Sequence, residues 1–337
     1  MPGFLTHCLA GRRLKEKLRA DGQKILAEKE RLFYLGCQGP DIFFYYFSGA
    51  FSKAARGIGG KMHDKDLGRF IWDLAASSWL ASRCGAKGLT PQAIADGLAD
   101  KDGPGPGGFA ELAGGGPETE SGRAIFAYAC GYVMHYCLDS ATHPYVFART
   151  ETGDGTGAKN TADHRHFETE LDICMLLRLE GKKPNDWTHF EMIDAKKPDM
   201  AAAALASAAA IRHVYGAGIS GGQVLAAMRS MVGFTKFLQS KKGRRKRLLR
   251  FFEKLTVREP VYSSLMHSQA AGEGALNLEG NEWQPPWPGG APGSQSFPDL
   301  FDGAVEEAVA LCETLLGEGM LGGFSERLGN KSLKTGT

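Results

Sequence analysis

The chain has 337 residues, with 40 Lys+Arg against 38 Asp+Glu and a net charge of +2. That balance excludes a general electrostatic attraction to nucleic acid, so any basic partner surface must be local and nucleic acid is not an expected partner. At 43% apolar residues the chain can build a full core, yet no apolar run reaches the ~18 residues that a transmembrane helix needs. The periodicity is helical nearly throughout. Residues 12–35 read as one amphipathic helix, with Leu14, Leu18, Ile25, Leu32 and Leu35 recurring among Lys, Arg and Glu. Residues 64–84 follow the same rule through Leu67, Phe70, Ile71, Leu74 and Trp79. Two further helices are expected at 121–143 and 163–180. Pro144 disfavours helical backbone at His143 and sets the end of the first. Asp163 is an N-cap for the second and Gly181 its stop. Residues 200–215, 221–241, 244–256 and 299–316 complete the helices. Gly103–Pro117 and Trp283–Pro298 are too rich in Gly and Pro to be helical. No alternating Val/Ile/Thr run is present, so the expected fold class is all-α. Neither loop separates compositionally distinct halves, which favours one domain over 1–330 with 331–337 as a flexible tail.

Seven cysteines are scattered without a Cys-x-x-Cys pair. The odd number leaves at least one unpaired within the chain, which favours a reducing compartment. Met1–Cys8 lacks the basic region of a signal peptide. Both point to a cytoplasmic location.

The chemistry concentrates in His135-Tyr-Cys-Leu-Asp139-Ser-Ala-Thr-His143 and in His164-Arg-His-Phe-Glu168. Positions four apart share a helix face, so each motif aims imidazole and carboxylate at one spot, and these are the groups that hold catalytic zinc. With 9 His and 38 acids in the chain, a His followed four residues later by an acid should arise about once by chance. It occurs three times. The triple around Asp139 is expected only ~0.03 times and is the strong signal. His166 and Glu170 form a competing pair rotated away from His164 and Glu168. Only one of the two can face the site, and His164/Glu168 is the better choice. His143, freed by Pro144, can turn toward a second ion, and Asp139 between two histidines is placed to bridge. Cys8 and Cys137 adjoin these positions but show no thiolate pattern, so they read as packing residues.

The run Gly131-Tyr-Val-Met-His135 to Tyr145, followed by His164 to Asp172, resembles the bacterial zinc-dependent phospholipase C family. So do Met1–His7 and the block Leu35-Gly-Cys-Gln-Gly-Pro-Asp41-Ile-Phe-Phe-Tyr. The resemblance covers roughly residues 1–180. It implies an all-helical fold holding two to three zinc ions, and more distantly the arrangement of fungal tri-zinc single-strand nucleases. Position by position it implies His7 at a first ion with Asp139 bridging. It places Asp41, His63 and His135 at a second with Asp139, and His143, His164 and Glu168 at a third. Secreted members use a processed N-terminal residue as a ligand. Removal of Met1 here would leave the Pro2 amine for that role.

Clustered zinc lowers the pKa of a shared water and neutralises charge developing on a phosphodiester. The resemblance therefore implies phosphodiester hydrolysis by zinc-activated hydroxide. The substrate would be a phospholipid or another phosphodiester, with Asp41 orienting or deprotonating the water. A single-strand nuclease and a non-catalytic metal-binding scaffold remain the alternatives. Residues 241–250 carry seven positive charges in ten. With Leu248, Phe251, Phe252 and Leu255 on one helical face, 241–255 reads either as a contact for anionic membrane or as a basic helix end whose apolar side is buried.

Overall fold

The computed structural model describes residues 3–46, 51–84, 118–151, 157–186, 188–239, 244–256, 263–267, 272–317 and 321–337. The loop expected at Gly103–Pro117 and the Pro2 amine lie outside these residues. Thirteen α-helices account for most of the described chain. Among the described residues there is no strand, only an isolated antiparallel bridge between Trp283 and Gly293. The fold is all-α, as expected.

The helix expected over 12–35 is three: α1 Phe4–Lys17, α2 Ala20–Glu28 and α3 Glu30–Gly36. Leu18 and Arg19 take extended backbone, and Lys29 leaves helical geometry at φ −113°. The apolar period runs through both breaks. One straight helix of that length would span ~36 Å and could not wrap a single core. Lys29 marks the second turn because its ammonium is drawn to Glu120 at 2.5 Å and Asp199 at 3.0 Å. The start of α1 at Phe4 was not expected, because its cap comes from far along the chain. Asp172 accepts the Leu5 and Thr6 amides at 3.0 and 2.7 Å and the Thr6 hydroxyl at 2.7 Å. These are orphan N–H groups of a first helical turn, satisfied here by a tertiary partner.

The helix expected over 64–84 starts at Leu67, and another that was not expected precedes it. α4 is Phe51–Asp64 and α5 is Leu67–Cys84, separated at Asp66 with φ +59°. α4 gave no signal in sequence because three glycines interrupt its pattern. The axis of the fold is α6, Glu120–Thr150, which packs on α5, α3 and α1. Nearly every residue from Ala124 to Ser140 is buried, the condition of a helix surrounded on all sides. Gly131 and Gly36 let α6 and α3 approach backbone to backbone. A Cβ at Gly131 would lie 2.4 Å from the Phe33 carbonyl, and one at Gly36 would lie 2.4 Å from the Tyr128 carbonyl.

The expected end of α6 at His143 is wrong. The helix runs through Pro144 to Thr150, because Tyr145 and Val146 beyond the proline are fully buried and that burial outweighs one missing hydrogen bond. α7, Gly157–Glu180, begins before Asp163 and ends at Gly181 in the left-handed conformation. The short α8 His189–Ile193 precedes α9 Lys197–Tyr215 and α10 Gly221–Leu238, the latter started by a Ser220/Gln223 capping box. α11 is Arg244–Thr256, α12 is Phe297–Leu316 and α13 is Leu321–Leu328. Ser296 and Asp299 cap α12, so the irregular stretch from Trp283 stops two residues before Pro298.

Two segments of the second half bear on the sequence reading. On α11, Leu248 and Phe251 are 58% and 59% exposed, so the apolar face is not buried at these positions. Two polar residues of this helix are turned inward: Lys246 Nζ donates to the Met266 carbonyl at 2.6 Å, and buried Glu253 accepts the Ser263 amide at 3.1 Å. Residues 331–337 do not trail away. Leu333 is fully buried and its amide donates to the His63 carbonyl at 3.0 Å.

Candidate metal centre

Five elements bring the eight sequence-derived residues together. His7 lies on α1, Asp41 in the 3-10 turn Gly39–Phe43, and His63 at the end of α4. His135, Asp139 and His143 rise along one face of α6, and His164 and Glu168 stand one turn apart on α7. Their donor atoms form three groups: His7/Asp41/His135, His63/His135/Asp139 and His143/His164/Glu168, each with its atoms within 4.8 Å of one another. The third group matches the set that the resemblance implied. The first two overlap through His135 and divide the remaining residues differently. The competing pair points outward, with His166 and Glu170 side chains 59% and 36% exposed.

Ring orientation is set from behind. The Nδ1 of His63 meets the Gly59 carbonyl at 2.8 Å, that of His135 meets the Cys37 carbonyl at 3.1 Å, and that of His143 meets the Leu333 carbonyl. A carbonyl only accepts, so each of these Nδ1 atoms carries the proton. His164 follows the same logic. Its Nδ1 lies 3.3 Å from Thr150 Oγ1, whose own proton goes to the Val146 carbonyl at 2.8 Å. Four imidazoles thus present Nε2 to the interior, the geometry by which outer partners orient zinc-binding histidines.

Each Nε2 then faces a carboxylate. His63 is 3.1 Å from Asp41 and His135 is 3.2 Å from Asp139. His164 is 2.9 Å from Glu168, and His7 is 3.3 Å from Asp139. His7 also stacks on His135 with ring centroids 4.5 Å apart. A lone pair facing a carboxylate oxygen is repulsive unless a proton or cation lies between them. Several of these atoms make no hydrogen bond although buried: both nitrogens of His7, Nε2 of His135 and His143, Oδ1 of Asp41 and both oxygens of Asp139. Leaving such groups uncompensated costs ~1–3 kcal/mol each or more when charged. A divalent cation would satisfy them collectively.

Protonation equilibria carry the same imprint. Burial opposes charge on His135, but the adjacent Asp139 carboxylate prevails and its pKa is raised. Asp139 is also penalised by burial, yet His135 and His143 hold its pKa well below the usual range. Burial pushes His143 and His164 well down, and burial raises Glu168 to about 8. Cys8 and Cys137 are fully buried, with burial lifting both thiols well above the ordinary value, so they do not act as thiolates here. A donor set of imidazole and carboxylate without thiolate fits zinc in a catalytic role better than a closed structural site.

Sequence reasoning missed the supports. Asp172 reads as an extension of the Glu168 face, but it caps α1 below His7 and holds His267 at 2.7 Å. Its carboxyl stays below the usual range despite burial, through His267, Thr6 and the Leu5 amide. Half-buried aromatic rings flank the centre: Phe44 lies 5.2 Å from His63, Phe147 lies 4.8 Å from His164, and Trp287 stands edge-on to Phe147 at 5.8 Å.

A family model described as zinc dependent phospholipase C matches residues 6–213, a span that contains all eight residues. No curated protein and no solved structure matches the chain.

Zinc uptake near pH 7 should release protons, because Glu168 and His135 bind protons that a metal must displace. The raised Glu168 pKa means this release is large below about 8 and fades as pH rises through it. Calorimetry in buffers of different ionisation enthalpy measures it. Glu168→Gln should lower the number released, and proton-neutral binding at pH 7 would refute the assignment.

Proposed function

The chain belongs to the zinc-dependent phospholipase C family, and from that premise we propose that it is a phosphodiester hydrolase that cleaves phospholipid and releases a phosphorylated headgroup. The observation that carries the proposal is the set of Nε2 and carboxylate atoms facing one another across three groups, two of which share His135. We take His7, Asp41, His63, His135, Asp139, His143, His164 and Glu168 as ligands for two to three zinc ions. Zinc bound there supplies Lewis acidity, lowering the pKa of a water and neutralising charge on the phosphoryl oxygens.

The remaining work falls to side chains of the protein. Asp139 belongs with both His7 and His135, at 3.3 and 3.2 Å, so one carboxylate fixes the spacing between neighbouring groups. Asp41 sits at the edge of the cluster, with Oδ1 turned to His63. From there it orients the attacking water or takes its proton. The rings of Phe44, Phe147 and Trp287 offer an apolar flank to the glycerol end of a lipid.

A lipid substrate requires contact with its surface. The segment 241–255 supports this through six cationic residues between 241 and 250 besides the inward Lys246, and through the outward Leu248 and Phe251. Such a helix lies in an interface through its apolar residues while its cations meet anionic headgroups.

Three measurements test these assignments. Turnover of phosphatidylcholine should be lost on chelation and return with zinc, with a generic phosphodiester and single-stranded DNA as comparisons. Cleavage of DNA without lipid turnover would make the protein a nuclease, and unfolding on chelation with no turnover at all would make it a scaffold. Asp41→Asn should reduce turnover by ~10²–10⁴-fold, far more than it lowers zinc content; parallel loss of both would leave Asp41 a ligand alone. Leu248→Glu with Phe251→Glu should abolish flotation with anionic vesicles, and undiminished flotation would remove 241–255 from the interface.

A further inference from the structure

We propose that residues 329–337 form a positioning strap for the third group, with the main-chain carbonyl of Leu333 fixing His143 in the tautomer that presents Nε2. The strap lies beyond the part of the chain that matches the family model. It rests on the zinc reading given above.

Leu333 joins two ligand-bearing elements through one residue. Its amide donates to the His63 carbonyl at the end of α4, and its carbonyl accepts from His143 Nδ1 on α6. The other three oriented histidines take their outer partner from elsewhere: His63 from its own helix, His135 from Cys37 after α3, and His164 from Thr150 at the end of α6. Among the described residues, His143 alone relies on the strap.

The strap has a built seat. Tyr136 Oη donates to the Leu328 carbonyl at 2.8 Å and accepts the Lys331 amide at 2.7 Å, pinning the chain where it leaves α13. Asn330 accepts the Gly68 amide and donates to Asp66, both at 3.2 Å. At the far end, Gly336 (φ +73°) lies over the notch that Pro144 makes in α6. A Cβ there would stand 2.4 Å from the Ser140 carbonyl and 3.4 Å from the Pro144 ring. Ser140 is the residue whose carbonyl Pro144 cannot bond within the helix. The proline that failed to end α6 therefore creates the docking place for the segment that orients His143, one residue before it.

Two variants test the strap: deletion of 330–337, and Tyr136→Phe, which keeps the ring and removes only the pin. Nitrogen-15 spectra of the imidazoles in the zinc-free full chain should show His143 as the Nδ1–H tautomer, with its signal assigned through His143→Gln. Both variants should give mixed tautomers at His143 and leave His164 and His135 unchanged. A general loss of structure would disturb all of them alike. Zinc retention against a chelator should weaken by ~10–100-fold for one ion, the usual consequence of removing an outer partner. Should the deletion unfold the protein, Tyr136→Phe decides the question alone. A His143 spectrum and zinc retention equal to those of the full chain would overturn the strap. A full chain that binds no zinc would overturn the metal reading instead, while the tautomer readout would still judge the strap.

Discussion

Buried polar atoms that face one another without a proton to share are the constraint around which this fold is arranged. Asp139 is fully buried with both oxygens outside any hydrogen bond, and His7 has neither ring nitrogen satisfied. A core dominated by apolar packing does not tolerate such groups unless something compensates them. Mutual shifts of protonation supply part of that in the free protein, seen in the opposed pKa directions of His135 and Asp139. Divalent cations would supply the rest.

The scaffold meets this constraint with rigid parts. α6 carries three of the eight residues and is packed on several sides, so their spacing follows from the helix itself. The remaining five arrive from α1, α7, the turn bearing Asp41 and α4, the first three packed on α6 and α4 packed on that turn. α3 is drawn against α6 at Gly131 and Gly36, which places the turn bearing Asp41 and the Cys37 carbonyl behind His135. α1 is fastened at its first turn by Asp172 from α7, which also links to His267. Orientation therefore depends on main-chain carbonyls, the Thr150 hydroxyl tied to the Val146 carbonyl, and one buried carboxylate. Sites held in this way keep their ligands near binding geometry and lose little order on taking up a metal.

The local parts of this design were legible in the sequence. His135/Asp139 and His164/Glu168 are four-residue repeats on helices whose existence follows from apolar periodicity, and in the structure each pair's Nε2 and carboxylate oxygen stand 3.2 and 2.9 Å apart. The all-α class followed from the same periodicity. What was hidden depends on long-range partners. The start of α1 rests on a carboxylate 167 residues away. α4 is glycine-interrupted and makes sense only once packed against the turn carrying Asp41. Pro144 carries a local rule that burial of Tyr145 and Val146 overrides. The outward face of α11 could not be separated from a buried one by periodicity, since both give the same pattern.

The most direct measurement is anomalous diffraction at the zinc edge from crystals of the full chain grown with zinc. The proposed centre predicts two or three peaks enclosed by His7, Asp41, His63, His135, Asp139, His143, His164 and Glu168, each with nitrogen and oxygen neighbours and no sulfur. Peaks confined to the protein surface, or none, would contradict it.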